Sequence, residues 1–220
     1  YGDYGGTALV GTVAHAGKTL SFAPAEYYLV SGKKTKLIGW YPRRSGVSYT
    51  QGTRVVDFGE IDGKTDLMAT VLYEGSKGTK ISSITFNHLL TQFSIKVYAP
   101  DAAAQGLWGT VSSIKIAEKK QTCTITLPAA TETANTAAAP TFTGNSDLDL
   151  VKTDLTTSPA STITYPLTLG VGTAANAAQA GYAMFAPQTA GNVVLKIELS
   201  SGVTQTVNVP VPTTPTPAGF

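Results

Sequence analysis

The chain has 220 residues and a formal net charge of +2, from 16 Lys and Arg against 14 Asp and Glu. Such a small charge argues against a nucleic-acid-binding protein, and no apolar run approaches the roughly 20 residues that a membrane-spanning helix needs. Charged residues make up only 14 % of the chain, whereas 22 Gly and 12 Pro are present. This composition favours many short strands and turns, so we expect an all-β protein.

In the N-terminal half, short apolar or alternating segments are separated by polar turns. A period of two with β-branched and aromatic residues predicts half-buried strands. Pro42 follows Trp40 and Tyr41 and cannot donate to a sheet, so it is expected at a strand end. The predicted strands are Thr7–Ala14, Thr19–Ala23, Ala25–Val30, Lys36–Tyr41, Thr53–Phe58 and Asp66–Tyr73.

The stretch Ile81–Val97 gives the strongest strand signal of the chain. Its alternation is interrupted only at Thr91–Gln92, which predicts two antiparallel neighbours joined by a short connection at the centre of a sandwich. A helix is the alternative, because Phe86 and Phe93 also lie at a helical spacing, but the β-branched composition favours strands. The breaker Ala99–Asp101 follows, so we predict domains at residues 1–99 and 100–220.

The C-terminal half continues the all-β pattern around one polar excursion. Pro128–Ser161 contains few large apolar residues and is expected to run over the surface as a long loop. Ala174–Ala180 is expected to form a turn or two of helix. Ser200–Gly202 is a good hairpin connection for the last two strands. The predicted strands are Trp108–Ala117, Gln121–Leu127, Thr162–Val171 with an interruption at Pro166, Gly181–Ala186, Asn192–Leu199 and Val203–Val211, followed by polyproline-like coil over Pro212–Phe220.

Metal and thiol chemistry have little basis in this sequence. A metal site needs three or four converging His, Cys or carboxylate ligands, whereas the chain has His15, His88 and Cys123 in no ligand spacing. Cys123 lies in an alternating segment and is predicted to be a small buried residue; as the single cysteine it excludes an intrachain disulfide. His15 is expected in a turn and His88 in the core or between sheets, bound to a backbone group.

Catalytic and ligand-binding motifs are equally scarce. No Gly-x-Ser-x-Gly nucleophile turn is present, and Gly170–Gly172 lacks the further glycine of a phosphate-binding loop. Asn145, Asp147 and Asp149 place oxygen ligands at alternate positions, with Asp154 nearby, as in calcium loops. They lack the glycine and the terminal glutamate of that site, so a solvated loop is favoured. We predict no enzyme activity, no cofactor and no metal.

Aromatic residues suggest one different function. Tyr27, Tyr28, Trp40, Tyr41 and Tyr49 cluster in sequence, and sugar-binding sandwiches use exposed aromatic rings to stack on sugars. Trp40 lies in an apolar segment, which favours a core position instead. A surface carbohydrate-binding module therefore stands as the alternative to a structural role.

Several segments together resemble one protein family. Thr85–Val97 resembles the F-x-H-x-L-x-x-hydrophobic stretch typical of fimbrillin-family proteins, which are subunits of type V pili on anaerobic Gram-negative bacteria. Their order and spacing carry the resemblance more than any one segment does. The other similar segments are Glu26–Tyr28 with Lys36–Pro42, Val56–Phe58 with Asp66–Thr70, and Trp108–Ile116.

The resemblance implies both a fold and a function. It implies two tandem transthyretin-like antiparallel β-sandwiches of about seven strands each. It also implies an exported lipoprotein precursor, trimmed at its N-terminus, that polymerises by donor-strand insertion into a fimbrium at the cell surface or outer membrane. The expected partners are other pilus subunits and host or bacterial surface glycans or proteins, with no nucleic acid and with membrane contact only through the precursor's lipid anchor.

The two ends of the chain depart from the family pattern. Tyr1–Gly6 is neither a signal peptide nor a lipid-attachment site, so we expect a mature or trimmed chain. Pro217–Phe220 resembles the start of a family segment that continues into one more strand, which the second sandwich would then lack. These departures leave open a stalk, tip or anchor role.

Overall fold

The structure is a computed structural model that describes residues 11–14, 19–23, 25–30, 32–129, 131–188 and 191–211. Its elements are nearly all strands, with one short α-helix in the described ranges, which confirms the predicted all-β class. The strands are β1 (Gly11–Ala14), β2 (Thr19–Phe22), β3 (Thr35–Leu37), β4 (Trp40–Tyr41), β5 (Ser48–Thr50), β6 (Val55–Glu60), β7 (Met68–Ala69), β8 (Tyr73–Gly75), β9 (Asn87–His88), β10 (Thr91–Ala99), β11 (Thr110–Thr126), β12 (Ala139–Asp149), β13 (Thr153–Asp154), β14 (Ser161–Thr162), β15 (Leu167–Thr168), β16 (Gly170–Val171), β17 (Ala178–Phe185), β18 (Gly191–Leu199) and β19 (Thr204–Val211). The helix α1 spans Ala102–Trp108.

The chain forms two compact units, each built from segments that alternate along the sequence. Unit 1 comprises Tyr1–Phe58, Met68–Asn87 and Thr124–Thr141, and unit 2 comprises Gly59–Leu67, His88–Cys123 and Phe142–Phe220. These units interleave, whereas the predicted domains 1–99 and 100–220 are continuous. The two divisions therefore differ, and a division into separately folding domains stays a prediction.

Unit 1 is made of short antiparallel pairings. β1 pairs with β2, β3 with β8, and β5 with β6, while β4, β7 and β9 form a three-stranded sheet with β7 in the middle. The chain enters Pro42 directly after β4, and that proline is buried, so its predicted place at a strand end is confirmed. The buried apolar side chains of this unit are Val56, Phe58, Ala69, Leu72, Ile125, Leu127 and Ala138.

Unit 2 contains the larger continuous core. β10 lies between β16, which runs parallel to it, and β17, which runs antiparallel. β11 pairs with β12, β15 and β18, and β18 pairs in turn with β19. Phe185 is fully buried, and its ring stacks on Phe93 with 4.6 Å between centroids. Burying a side chain of this size stabilises the folded state by about 1.5–3 kcal/mol. The Phe93–Phe185 contact therefore holds β10 and β17 together in the core of unit 2.

The strand prediction for the central stretch is confirmed in its second half, where β10 spans Thr91–Ala99, and is wrong for most of its first half. Within residues 81–90, only Asn87–His88 forms a strand. β10 pairs with β16 and β17 instead of with β9. Two tyrosine hydroxyls replace the expected neighbouring strand. The amide of Ile81 donates to Tyr28 Oη at 2.7 Å, and that of Thr85 donates to Tyr73 Oη at 2.8 Å. Alternation in the sequence could not distinguish these hydroxyl partners from the backbone partners of a sheet.

Two strands of the C-terminal half also differ from expectation. β11 is one strand of 17 residues, although two strands joined near Glu118 were predicted. Glu118 adopts a left-handed φ of 58°, which allows a local distortion without ending the pairing. β12 lies within the predicted surface loop Pro128–Ser161. Most of its residues are exposed, so it lacks the apolar alternation that marks a half-buried strand.

Smaller elements complete the comparison. α1 was not predicted; its first turn is capped by Asp101, whose carboxylate accepts from the amide of Ala104 at 2.7 Å. Ala25–Val30 forms no strand, and the helix expected over Ala174–Ala180 is a single 3-10 turn at Ala174–Asn176.

The last hairpin is confirmed. β18 and β19 pair through Ser200–Gly202, with the Gly202 amide donating to the Leu199 carbonyl at 2.9 Å. The predictions for Thr7–Val10, His15 and Pro212–Phe220 fall outside the described residues. No helix in the described ranges is long and apolar enough to span a membrane.

Gly181 provides a test of the packing in unit 2. It lies where the β10–β17 register shifts, has a φ of +139°, and a Cβ there would lie 2.6 Å from the Val151 carbonyl oxygen. We expect Gly181→Ala to lower the free energy of unfolding by roughly 2–4 kcal/mol, through backbone strain and overpacking together. Urea unfolding followed by tryptophan fluorescence measures the change.

Gly202→Ala is the matched control. Gly202 also has a positive φ, +84°, but no atom lies within 4 Å of its would-be Cβ. Only the strain of a left-handed backbone applies, so we expect the free energy of unfolding to fall by about 1–2 kcal/mol. Equal losses in the two variants would contradict the packing described at Gly181.

Candidate functional site

His88 is held by a carboxylate. Its Nδ1 lies 2.6 Å from Asp66 Oδ2, and the His88 side chain is 34 % exposed. The sequence predicted a position in the core or between sheets, and it did not predict this carboxylate partner. Sequence spacing gave no sign of Asp66, because 22 residues separate it from His88. The two side chains are in hydrogen-bonding contact at the start of the segment that leads into β10.

The environment of Asp66 raises the pKa of its carboxyl above the ordinary value of 3.8. Burial is the largest cause, because it disfavours the charged form, and the hydrogen bond and charge of His88 act in the opposite direction. A proton on Asp66 is thus held more tightly in the folded than in the unfolded chain. Asp66 contributes stability below about pH 4 that is lost as the pH rises through the raised pKa.

The acidic set lies on strands and not in a solvated loop. Asp147 and Asp149 lie on β12, where Asp147 Oδ2 is 2.7 Å from Lys196 Nζ and Asp149 Oδ1 is 3.6 Å from Lys115 Nζ. The hydrogen bond from Lys196 is the largest cause that lowers the pKa of Asp147. Asp154, on β13, accepts from the amide and hydroxyl of Thr156 instead.

These carboxylates therefore neutralise neighbouring lysines or fix local turns. Within the described ranges, no three His, Cys, Asp or Glu residues are grouped so that they could hold a metal ion.

Cys123 and the Gly170–Gly172 motif have packing roles. Cys123 is fully buried in β11, which confirms its predicted place as a small core residue. A Cβ on Gly170 would lie 1.8 Å from the carbonyl oxygen of Asn176, so only glycine allows the following turn to pack this closely. Gly170 lies in β16 opposite Tyr98, and Gly172 follows the strand at a bend, so a turn explains only the second glycine of the motif.

The aromatic cluster of unit 1 separates into packed and exposed rings. Trp40 and Tyr49 pack against each other with 5.3 Å between ring centroids, and Tyr28 binds the backbone of Ile81. Tyr27 and Tyr41 are 75 % and 48 % exposed. Trp40 is thus a packing residue first, and the rings that a sugar could reach are the two exposed tyrosines.

The outer edge of β19 is the most distinctive surface of unit 2. In the part of the chain that the structure describes, β19 pairs with β18 and with no other strand. It is eight residues long and contains no charged side chain. Edge strands usually carry charges, bulges or prolines that prevent pairing with another chain, and β19 has only Pro210.

One face of β19 is apolar and incompletely covered. Val207, Val209 and Val211 alternate along the strand, so they share the face that is directed at the core. Val209 is 39 % exposed, although its cross-strand partner Val193 is only 2 % exposed. A strand laid beside β19 could bury the remaining surface of Val209 and pair with the edge that no other described strand occupies.

The other long edge of unit 2 is protected. β12 pairs only with β11 among the described residues, but it carries Asp147, Asp149, Pro140 and a kink at Gly144, whose φ is +89°. The sequence pattern did not predict the difference between the two edges. The feature that could have indicated it is the uncharged run Val203–Val211 with an internal proline, which is typical of an edge strand with few features that prevent pairing.

The Asp66–His88 pair generates a titration prediction. The pKa of Asp66 should lie above 3.8 and should rise further in His88→Ala, which removes the hydrogen bond and charge that lower it. Carbon-detected NMR of the Asp66 carboxyl gives both values. An Asp66 pKa that falls in His88→Ala would contradict the assigned causes.

Comparisons with known proteins identify the family. The model of the fimbrillin-like family matches residues 5–218. A solved structure from Bacteroides uniformis ATCC 8492, proposed to be a cell adhesion protein, is similar in fold, with a TM-score of 0.53 and 18 % sequence identity. The similarity covers 87 % of this chain but only 65 % of that one. No curated protein matches.

The family match extends over almost the whole chain, including the stretch around His88 and the β18–β19 hairpin. The chain belongs to the fimbrillin-like family.

Proposed function

We propose that this chain is a subunit of an adhesive surface pilus and assembles by adding a strand from a neighbouring subunit to the outer edge of β19. The observation that carries the proposal is the exposed, uncharged edge of β19 with its partly uncovered apolar face. Membership of the fimbrillin-like family and the cell-adhesion role proposed for the similar Bacteroides structure support it.

Strand addition has a clear physical basis at this edge. Every second residue of an edge strand directs its backbone N–H and C=O away from the sheet, and a new strand satisfies these groups. Burying the exposed part of Val209 adds a hydrophobic contribution of roughly 25 cal/mol per Å². Backbone pairing gives affinity, and the alternating contacts of the apolar face fix the register of the added strand.

The rest of the proposal follows the family expectation. The partners are other pilus subunits, the site of action is the cell surface in a fimbrium at the outer membrane, and the precursor is anchored by a lipid. The proposal includes no catalysis. In support of this, His88 contacts Asp66, and the acidic set of β12 lies against lysines. A stalk, a tip or an anchor position would each use the same edge.

A second candidate function is a carbohydrate-binding surface on unit 1. The observation that favours it is the exposure of Tyr27 at 75 % and Tyr41 at 48 %, since exposed rings can stack on sugars. Trp40 contributes less than the sequence suggested, because it packs against Tyr49. The two candidate functions are compatible, because an adhesive pilus subunit needs both an assembly edge and a binding surface.

A charge on the apolar face of β19 should block assembly. We expect Val209→Lys to abolish polymers, because a strand added at this edge would bury the ammonium group without a partner. Surface polymers are extracted from cells in SDS without heating and resolved as a ladder.

Asn208→Lys is the control for this experiment. It adds the same charge at the adjacent position, but on the exposed face of β19. Its ladder should match that of the wild-type protein. Intact ladders in Val209→Lys, with folding confirmed by circular dichroism, would overturn strand addition at β19.

A further inference from the structure

The strongest concentration of positive charge in the protein lies at one end of the β3–β8 pair in unit 1. Residues 25–37 and 73–81 together contain five lysines and two glutamates, which gives them a net charge of +3. The whole chain carries only +2, so the remaining residues are net negative by one. The positive net charge of this protein therefore comes from these two short segments.

The fold brings these segments together. β3 and β8 pair antiparallel with Thr35 opposite Gly75. Lys33 and Lys34, just before β3, therefore lie at the same end of the pair as the segment that runs from β8 to Lys77. A turn closes there, with the Ser76 amide donating to the Thr79 carbonyl at 2.8 Å. That turn returns the chain to Gly75.

The segment before β3 is fixed to the same place. The hydroxyl of Tyr28 accepts from the amide of Ile81, the residue after Lys80, at 2.7 Å. Tyr27 directly precedes Tyr28 in the chain and is 75 % exposed. We call Tyr27, Lys33, Lys34, Lys77 and Lys80 the lysine–tyrosine patch.

The lysines of the patch are available to an outside anion. Lys33, Lys77 and Lys80 are exposed, and Lys34 is 69 % exposed while it pairs with Glu74 at 2.5 Å. Lys36 is different: it is largely buried, donates to the carbonyl of Glu132, and lies 3.9 Å from the same Glu74. One carboxylate is thus shared by two lysines, so it leaves most of the positive charge of the patch uncompensated.

We propose that the lysine–tyrosine patch binds an acidic glycan, a polysaccharide that carries carboxylate or sulfate groups. The lysine ammonium groups bind the anionic substituents, and the ring of Tyr27 stacks on the C–H face of a sugar. A membrane surface is less favoured, because Val30 is the single large aliphatic residue of segment 25–30 that is highly exposed, and one such residue gives little area for insertion. The inference deepens the second candidate function and does not depend on assembly.

The test measures binding of the unassembled full chain to heparin, a sulfated uronate polysaccharide, with dextran as the neutral reference. We expect Lys33→Ser with Lys77→Ser to weaken heparin binding roughly five- to tenfold at low salt, a typical effect of two exposed ionic contacts. The control is Lys64→Ser with Lys96→Ser, which removes two exposed lysines from unit 2 and leaves the same net charge. This control should bind as the wild-type protein does.

Tyr27 distinguishes a glycan from a simple anion. We expect Tyr27→Ala to weaken heparin binding several-fold and to leave inorganic polyphosphate binding unchanged, while Tyr27→Phe, which keeps the ring, binds both normally. Equal losses in the two double-lysine variants would overturn the proposal, because binding would then follow net charge alone.

Two further outcomes would also overturn it: no effect of Tyr27→Ala on heparin, or patch-dependent binding of anionic phospholipid vesicles without binding of heparin. Val209→Lys should bind heparin normally. Loss of heparin binding and loss of strand addition can therefore be distinguished.

Discussion

The central constraint in this protein is that a β-strand with one neighbour leaves half of its backbone hydrogen-bonding groups without a strand partner. β19 shows this in the described chain: it pairs with β18 alone and carries no charge along its length. Its apolar face extends the core of unit 2 and leaves Val209 partly exposed. The same edge would favour aggregation in a solitary protein, and in the assembly that we propose it gives a directional site for the neighbouring subunit.

The outer edge of β19 can pair with an added strand in one register only if the strands that hold β19 in place are well packed. β18, the one neighbour of β19, buries Val193, Leu195, Ile197 and Leu199 in the core of unit 2. β11 supports β18 from the other side, and the paired lysines and carboxylates of β11, β12 and β18 lie outside that core. Unit 2 thus presents a fixed template, and unit 1 presents the exposed tyrosine and lysines on segments outside β3 and β8.

Sequence periodicity predicted the all-β class and the β18–β19 hairpin, because their alternation reflects one buried and one exposed face. It failed at Ile81–Phe86, where tyrosine hydroxyls from distant segments bind the backbone amides. It also failed at β12, whose exposed faces give no apolar pattern. The carboxylate that binds His88 and the place of β19 at the end of its sheet among the described strands are both set by tertiary contacts, and no local pattern encodes them.

Hydrogen–deuterium exchange tests the central claim most directly, because it reports the pairing of individual backbone amides. Exchange is compared between the unassembled chain and the assembled polymer. The account predicts that amides of β19 gain protection on assembly, while those of β12, the protected edge, do not change. Protection gained at β12 with β19 unchanged would contradict it.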